Sequence, residues 1–75
     1  MNMEEECGGL MDRTLERWKN RRIAVGIGSD ASFTGILVES DGEVILLKDV
    51  VDFVGNRTKE LLVKLDDVNW MTLLQ

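Results

Sequence analysis

The sequence predicts a mainly-β domain, a small curled barrel of five antiparallel strands behind one N-terminal α-helix. Three observations carry this. Apolar residues recur at helical spacing only near the N-terminus, and from Arg22 onward the pattern changes to strand-like runs. Those runs are short and separated by tight-turn signals. Proline is absent, so nothing interrupts the strands from within.

Residues 1–9 read as a flexible leader ending at Gly8-Gly9, and residues 10–75 as one domain. The helix is expected over about 10–20. Leu10, Met11, Leu15 and Trp18 fall on one stripe, acids precede bases along it as the helix dipole favours, and Asn20 is a C-terminal stop. A half-buried strand follows from Arg22, with Ile23, Val25 and Ile27 on one face and Ala24 and Gly26 on the other. Gly28 to Ser32 is a turn cluster. Phe33 to Ser40 is the second strand, and Gly35 inside it marks a bend or bulge. Asp41-Gly42 is a hairpin signal. Glu43 to about Phe53 is the third strand, whose continuous run Val44-Ile45-Leu46-Leu47 implies burial on both faces. Val54 to Arg57 is a turn, Glu60 to Leu65 the fourth strand, Asp66-Asp67 a sharp turn, and Val68 to Leu74 the fifth strand. The pattern fits SH3-like, OB-like and Sm-like barrels alike.

Size narrows the options. A chain of 75 residues buries only about 60% of its unfolded surface, so stability from its own core is marginal. Small folds compensate with disulfides, metals or oligomerisation. One cysteine and no histidine exclude an internal disulfide and a conventional zinc site, and no cofactor is expected. Oligomerisation is the remaining route, and a hydrophobic fraction of 44% supports a real core. No stretch approaches the roughly 20 apolar residues that cross a bilayer, and the acidic start lacks the features of a signal peptide. The expectation is a cytoplasmic, reduced protein without a membrane partner.

The segment Phe33-Thr-Gly35-Ile-Leu37-Val-Glu-Ser-Asp41-Gly-Glu-Val44-Ile45-Leu46-Leu47-Lys48 resembles the first Sm motif, and Leu62-Val63-Lys64-Leu65-Asp66-Asp67-Val68 resembles the second. The run after Asp41 is closest to the bacterial host-factor branch, Hfq. With Val25-Gly26-Ile27 and the helix, the resemblance to the Sm-like family spans residues 10–74. It implies an Sm-like barrel whose outer strands pair with neighbouring copies. Closure into a homo-oligomeric ring, a hexamer or heptamer, would remove exposed edges and supply missing burial.

The resemblance also implies single-stranded RNA as a ligand, gripped by loops at the ring's pore. The matching positions are Asp41, Gly42, Glu43, Lys64 and Leu65. Here the chain departs from the pattern. Hfq has glutamine and phenylalanine where this chain has Gly42 and Glu43. The wider Sm branch has an asparagine near Val44 or Ile45. Leu65 stands where Sm proteins have glycine and Hfq has histidine. Lys64 matches the basic position of the second motif. The bland alternative is that Asp41-Gly42 is a plain turn and that Glu43 and Lys64 are solvated or ion-paired across strands.

A net charge of −5 disfavours nonspecific nucleic-acid binding, yet Arg13, Arg17, Lys19, Arg21 and Arg22 cluster at the helix end. That patch either complements the helix dipole or, repeated round a ring, forms a basic face. Trp18 and Trp70 read as core or interface anchors. Gly26-Ile27-Gly28 reads as strand and turn rather than a phosphate loop, since no helix follows. Asp66-Asp67 with Asp41 and Glu43 reads as turns rather than a cation site. Cys7 reads as an inert thiol. Without histidine no nucleophile–base pair can form around one, and a non-enzyme is expected. Two functions follow: a ring that binds RNA at a degenerate pore site, or a ring or scaffold for protein interaction that does not. A monomeric SH3-like adaptor would replace both.

Overall fold

A computed structural model describes residues 9–75, so the expected leader, residues 1–8 and Cys7 among them, lies outside the described residues. The elements are α1 (Leu10–Trp18), β1 (Arg22–Ile27), β2 (Ala31–Ser40), β3 (Val44–Asp52), β4 (Arg57–Lys64), a 3-10 turn (Leu65–Asp67) and β5 (Val68–Leu73). All pairings are antiparallel, and the strand order is β4-β3-β2-β1-β5. Consecutive strands are neighbours except β5, which crosses back to lie beside β1. The sheet therefore has two edges, β4 and β5.

The helix stops as the sequence implies. Asn20 takes a left-handed φ of 65°, a conformation asparagine tolerates, and turns the chain into β1. That junction is tied to β2: the Asn20 N–H donates to the Leu37 carbonyl and the Leu37 N–H to the Arg21 carbonyl, at 2.7 and 3.1 Å. The core is Leu15 from the helix with Ile23, Val25, Leu37, Ile45, Leu47, Val50 and Val63 from the sheet. Of the expected helix stripe, only Leu15 is fully buried. Trp18 packs against the core, whereas Leu10 and Met11 are exposed.

Strong curvature comes from β2 and β3. Their register shifts twice, between Thr34 and Ile36 and between Leu37 and Glu39. Asp49, opposite the first shift, has φ 52°. A Cβ at Gly35 would lie 3.1 Å from the Lys48 carbonyl oxygen and from Val50 Cγ2, so the close approach of backbones requires glycine there.

Four local expectations need correction. The first turn is shorter than expected, because β2 begins at Ala31. β4 begins at Arg57 rather than Glu60, since pairing with Val50 and Val51 extends it through a polar stretch that reads as turn. β3 is not buried on both faces: Ile45 and Leu47 point into the core, while Val44 and Leu46 are only half-buried. β1, expected to be half-buried, is covered on both faces over Ile23–Gly26. It lies between β2 and β5, and the Trp70 indole rests on Gly26 so closely that a Cβ there would overlap the ring.

Candidate nucleic-acid interface

The β2–β3 turn is built by one carboxylate. Asp41 Oδ1 accepts the N–H groups of Glu43 and Val44, each at 3.0 Å. The Asp41 N–H donates to the Val44 carbonyl at 3.2 Å, and Gly42 supplies φ 94°. The two side-chain-accepted N–H bonds, Glu43 first and Val44 second, hold the Asp41 carboxyl below its ordinary value of 3.8.

This turn meets the β4–β5 connection. Val44 pairs with Lys64 across the ladder, and the Leu65 N–H donates to the Glu43 carbonyl at 2.8 Å. Gly42, Glu43, Val44, Lys64 and Asp66 consequently line one cleft of about 430 Å³. Of the five positions singled out from sequence, Gly42, Glu43 and Lys64 line it. Asp41 shapes the turn from behind, and Leu65 joins through its backbone while its side chain packs against the core. Glu43 and Lys64 share the cleft without an ion pair within 4.0 Å. Glu43 and Asp66 outnumber Lys64, so the cleft is formally negative. Ile45, near where the wider Sm branch has its asparagine, is fully buried in the core.

The structure divides the helix-end cluster. Lys19 pairs with Glu16 at 3.1 Å. Arg21 Nε donates to the Gln75 carbonyl at 2.7 Å, pinning the residues after β5 to the residue before β1. Arg13 and Arg17 are exposed on the helix. Arg22 lines one cleft with Arg21 and Gln75 and also borders a second, described below. Among the described residues, no group of three or more acidic or thiol ligands could hold a metal ion, and no helix is long and apolar enough to cross a membrane.

Sequence reasoning placed the second turn at Val54 to Arg57 but missed the aspartate that builds it. Between β3 and β4, Asp52 Oδ1 accepts the N–H groups of Val54 (3.0 Å) and Asn56 (2.8 Å), and the Asp52 N–H donates to the Asn56 carbonyl at 3.0 Å. Partial desolvation pushes the Asp52 carboxyl up, but the bonds from Asn56 and Val54 outweigh it and hold it below the ordinary value. An aspartate two residues before the Val-Gly-Asn turn was the available signal.

No protein-family model matches the sequence, and a search of curated proteins returns no match. Solved structures do match. A conserved hypothetical protein from Pyrococcus furiosus is 50% identical, with 88% of this chain and 100% of that one covered at a TM-score of 0.77. The Pyrococcus abyssi Sm protein, solved in complex with a uridine heptamer, is 18% identical over 83% of this chain and 94% of its own, with a TM-score of 0.76. The SmAP1 heptamer from Pyrobaculum aerophilum is 20% identical over 92% and 99%, with a TM-score of 0.78. Five antiparallel strands in this order behind an N-terminal helix are thus the Sm fold. The chain has the Sm fold, and it belongs to the same family as the conserved hypothetical protein of Pyrococcus furiosus.

Proposed function

We propose that the chain is a subunit of a homo-oligomeric ring of six or seven copies that binds single-stranded RNA with low sequence selectivity and carries out no catalysis. The observation that supports ring closure most is the state of the two sheet edges. β4 and β5 are each paired on one side only, and each exposes a large apolar side chain, Leu62 at 65% and Trp70 at 50%. Unpaired, apolar strand edges invite another strand, and a heterologous contact that closes on itself yields a ring rather than a fibre. The gathering of Gly42, Glu43 and Lys64 in one cleft, and the uridine heptamer bound by the Pyrococcus abyssi protein, support RNA as the ligand.

A second reading, a ring that serves protein interaction and leaves RNA alone, is favoured by one observation. Glu43 and Asp66 place like charge against phosphate in the cleft that Lys64 would serve. Native mass spectrometry of the purified protein, with and without copurifying nucleic acid, tests the ring. A hexamer or heptamer is expected, and a monomer at micromolar protein overturns both readings in favour of an isolated adaptor barrel. RNA binding measured against salt separates the two. Binding at low salt that weakens a few-fold in Lys64→Ala supports RNA at the pore loops, while no binding even at low salt leaves the scaffold reading.

A further inference from the structure

The β3–β4 hairpin carries a different arrangement at the other end of the sheet. Arg22 at the start of β1 and Arg57 and Lys59 at the start of β4 border, with Asp49 and Val51, a cleft of about 580 Å³. Three cations against one acid give this cleft a formal charge of +2 in a chain of net −5. None of the three has a carboxylate within 4.0 Å among the described residues. They come together by topology. Arg57 is opposite Val51 in the β3–β4 ladder, and Asp49, with φ 52°, lies where the β2–β3 register shifts.

The chain between Val51 and Arg57 is the Asp52-capped turn. It holds Phe53 and Val54 out to solvent at 61% and 66% exposure. Exposing a phenylalanine on a turn fixed by two side-chain hydrogen bonds forgoes burial that the core could have provided. A flat apolar ring carried on the turn that joins Val51 to Arg57, two residues lining the cationic cleft, offers what single-stranded nucleic acid requires: stacking for a base and, from the cleft, charge-assisted hydrogen bonds for phosphates. A small free phosphate would need neither the ring nor a cleft this open, and an acidic peptide would use the cations but not the ring.

We propose that this cleft, with the Phe53–Val54 turn beside it, is a binding site for single-stranded nucleic acid, separate from the Gly42–Glu43–Lys64 cleft. Phosphates lie against Arg22, Arg57 and Lys59, and a base stacks on Phe53. The proposal rests on the RNA-binding reading above and locates the contact elsewhere in the subunit. Pairing of β4 with a neighbouring copy would use its backbone groups and leave these side chains available.

The test is fluorescence anisotropy with labelled oligouridylate and oligoadenylate over a salt series, on the wild type, Arg57→Gln/Lys59→Gln, Phe53→Ala and Lys64→Ala. Oligomeric state and melting are measured alongside. All these positions except half-buried Arg22, left unchanged, are exposed, so the variants are expected to fold. The double variant is expected to bind at least tenfold more weakly at low salt and to lower the slope of log affinity against log salt by about 1.4, two phosphate contacts at about 0.7 each. Phe53→Ala is expected to weaken binding by roughly tenfold with the slope unchanged. Wild-type binding that the double variant and Phe53→Ala retain in full, and that Lys64→Ala loses, overturns the proposal while the RNA-binding reading stands. No wild-type binding at low salt overturns both. Displacement of RNA by polyglutamate at equal charge, together with indifference to Phe53→Ala, overturns it in favour of an acidic protein partner.

Discussion

The two hairpin turns that flank β3 are built alike and surrounded differently. In each, an aspartate Oδ1 accepts two backbone N–H groups from the residues that follow. In each, a glycine takes up the reversal, Gly42 at φ 94° and Gly55 at φ 93°. The β2–β3 turn then faces Glu43, Lys64 and Asp66. The β3–β4 turn joins Val51 and Arg57, which border a cleft with Arg22 and Lys59, and it lifts a phenylalanine into water. A shared aspartate device therefore says nothing about ligand; the neighbouring charges and the presented ring decide what each end of β3 attracts. The turn at the position where the sequence resemblance implies RNA offers one cation against two acids, and the other offers three cations against one.

The most forceful way to break this contrast is to restore the missing amide beside the first turn. Ile45→Asn puts a polar group near where the wider Sm branch has its asparagine. Ile45 is fully buried here, so the substitution removes a packed side chain and buries an amide with no partner. The expected cost is about 4 kcal/mol, read as a large fall in the denaturant midpoint. A variant that keeps its stability and gains uridine binding would show that the first turn is a near-complete site and the contrast false.

The likeness of the turns is tested next by Gly42→Ala and Gly55→Ala. A Cβ at either position meets nothing within 4 Å, so the penalty is conformational alone. Each is expected to cost about 1–2 kcal/mol, and by similar amounts, in chemical denaturation. Markedly unequal costs would mean that one turn is free to relax and the other is not. The difference in charge is tested by Glu43→Lys. It turns the first cleft from net negative to net positive, and RNA affinity at low salt is expected to rise several-fold, with a salt slope steeper by about 0.7. An unchanged slope would place RNA away from this cleft altogether.

Much of the fold was legible because its signals are local. Alternation along β1, the Asp41-Gly42 hairpin, the glycine at 35 and the stop at Asn20 each act through the residue itself or its neighbours. The miss at β4 has a physical cause: Arg57-Thr58-Lys59 is polar and reads as turn, and only pairing with Val50 and Val51 makes it strand. The covering of Gly26 by Trp70 could not be read either, because β5 crosses the sheet to reach β1. That Gly42, Glu43 and Lys64 share one cleft was legible from the motif. The cationic cleft was not, since it joins Arg22 to residues more than thirty positions later, and the helix-end cluster in which Arg22 stood turned out to be divided among an ion pair, a tether to Gln75 and this cleft.

The smallest expected effect concerns protons. Both Asp41 and Asp52 are held below the ordinary carboxylate value in the folded chain, and their carboxylates accept the N–H groups that shape the turns. A depressed folded value means that the unfolded chain takes up the proton first as the pH falls. The stabilisation from each is therefore complete above the unfolded value near 3.8 and is lost as the pH drops below it through the folded value. Melting temperature measured from pH 6 to pH 3 should fall less steeply in Asp41→Asn and in Asp52→Asn than in the wild type. The starting values of both variants should be slightly lower, because an amide oxygen is a weaker acceptor than a carboxylate. The two slopes should not be identical. Desolvation is the largest single influence on Asp52, opposed by bonds from Asn56, Val54 and Gly55, whereas for Asp41 it ranks behind the bonds from Glu43 and Val44. If acid flattens both curves equally, the surroundings of the two turns differ only in the charges they show to a ligand and not in what they do to the turns themselves.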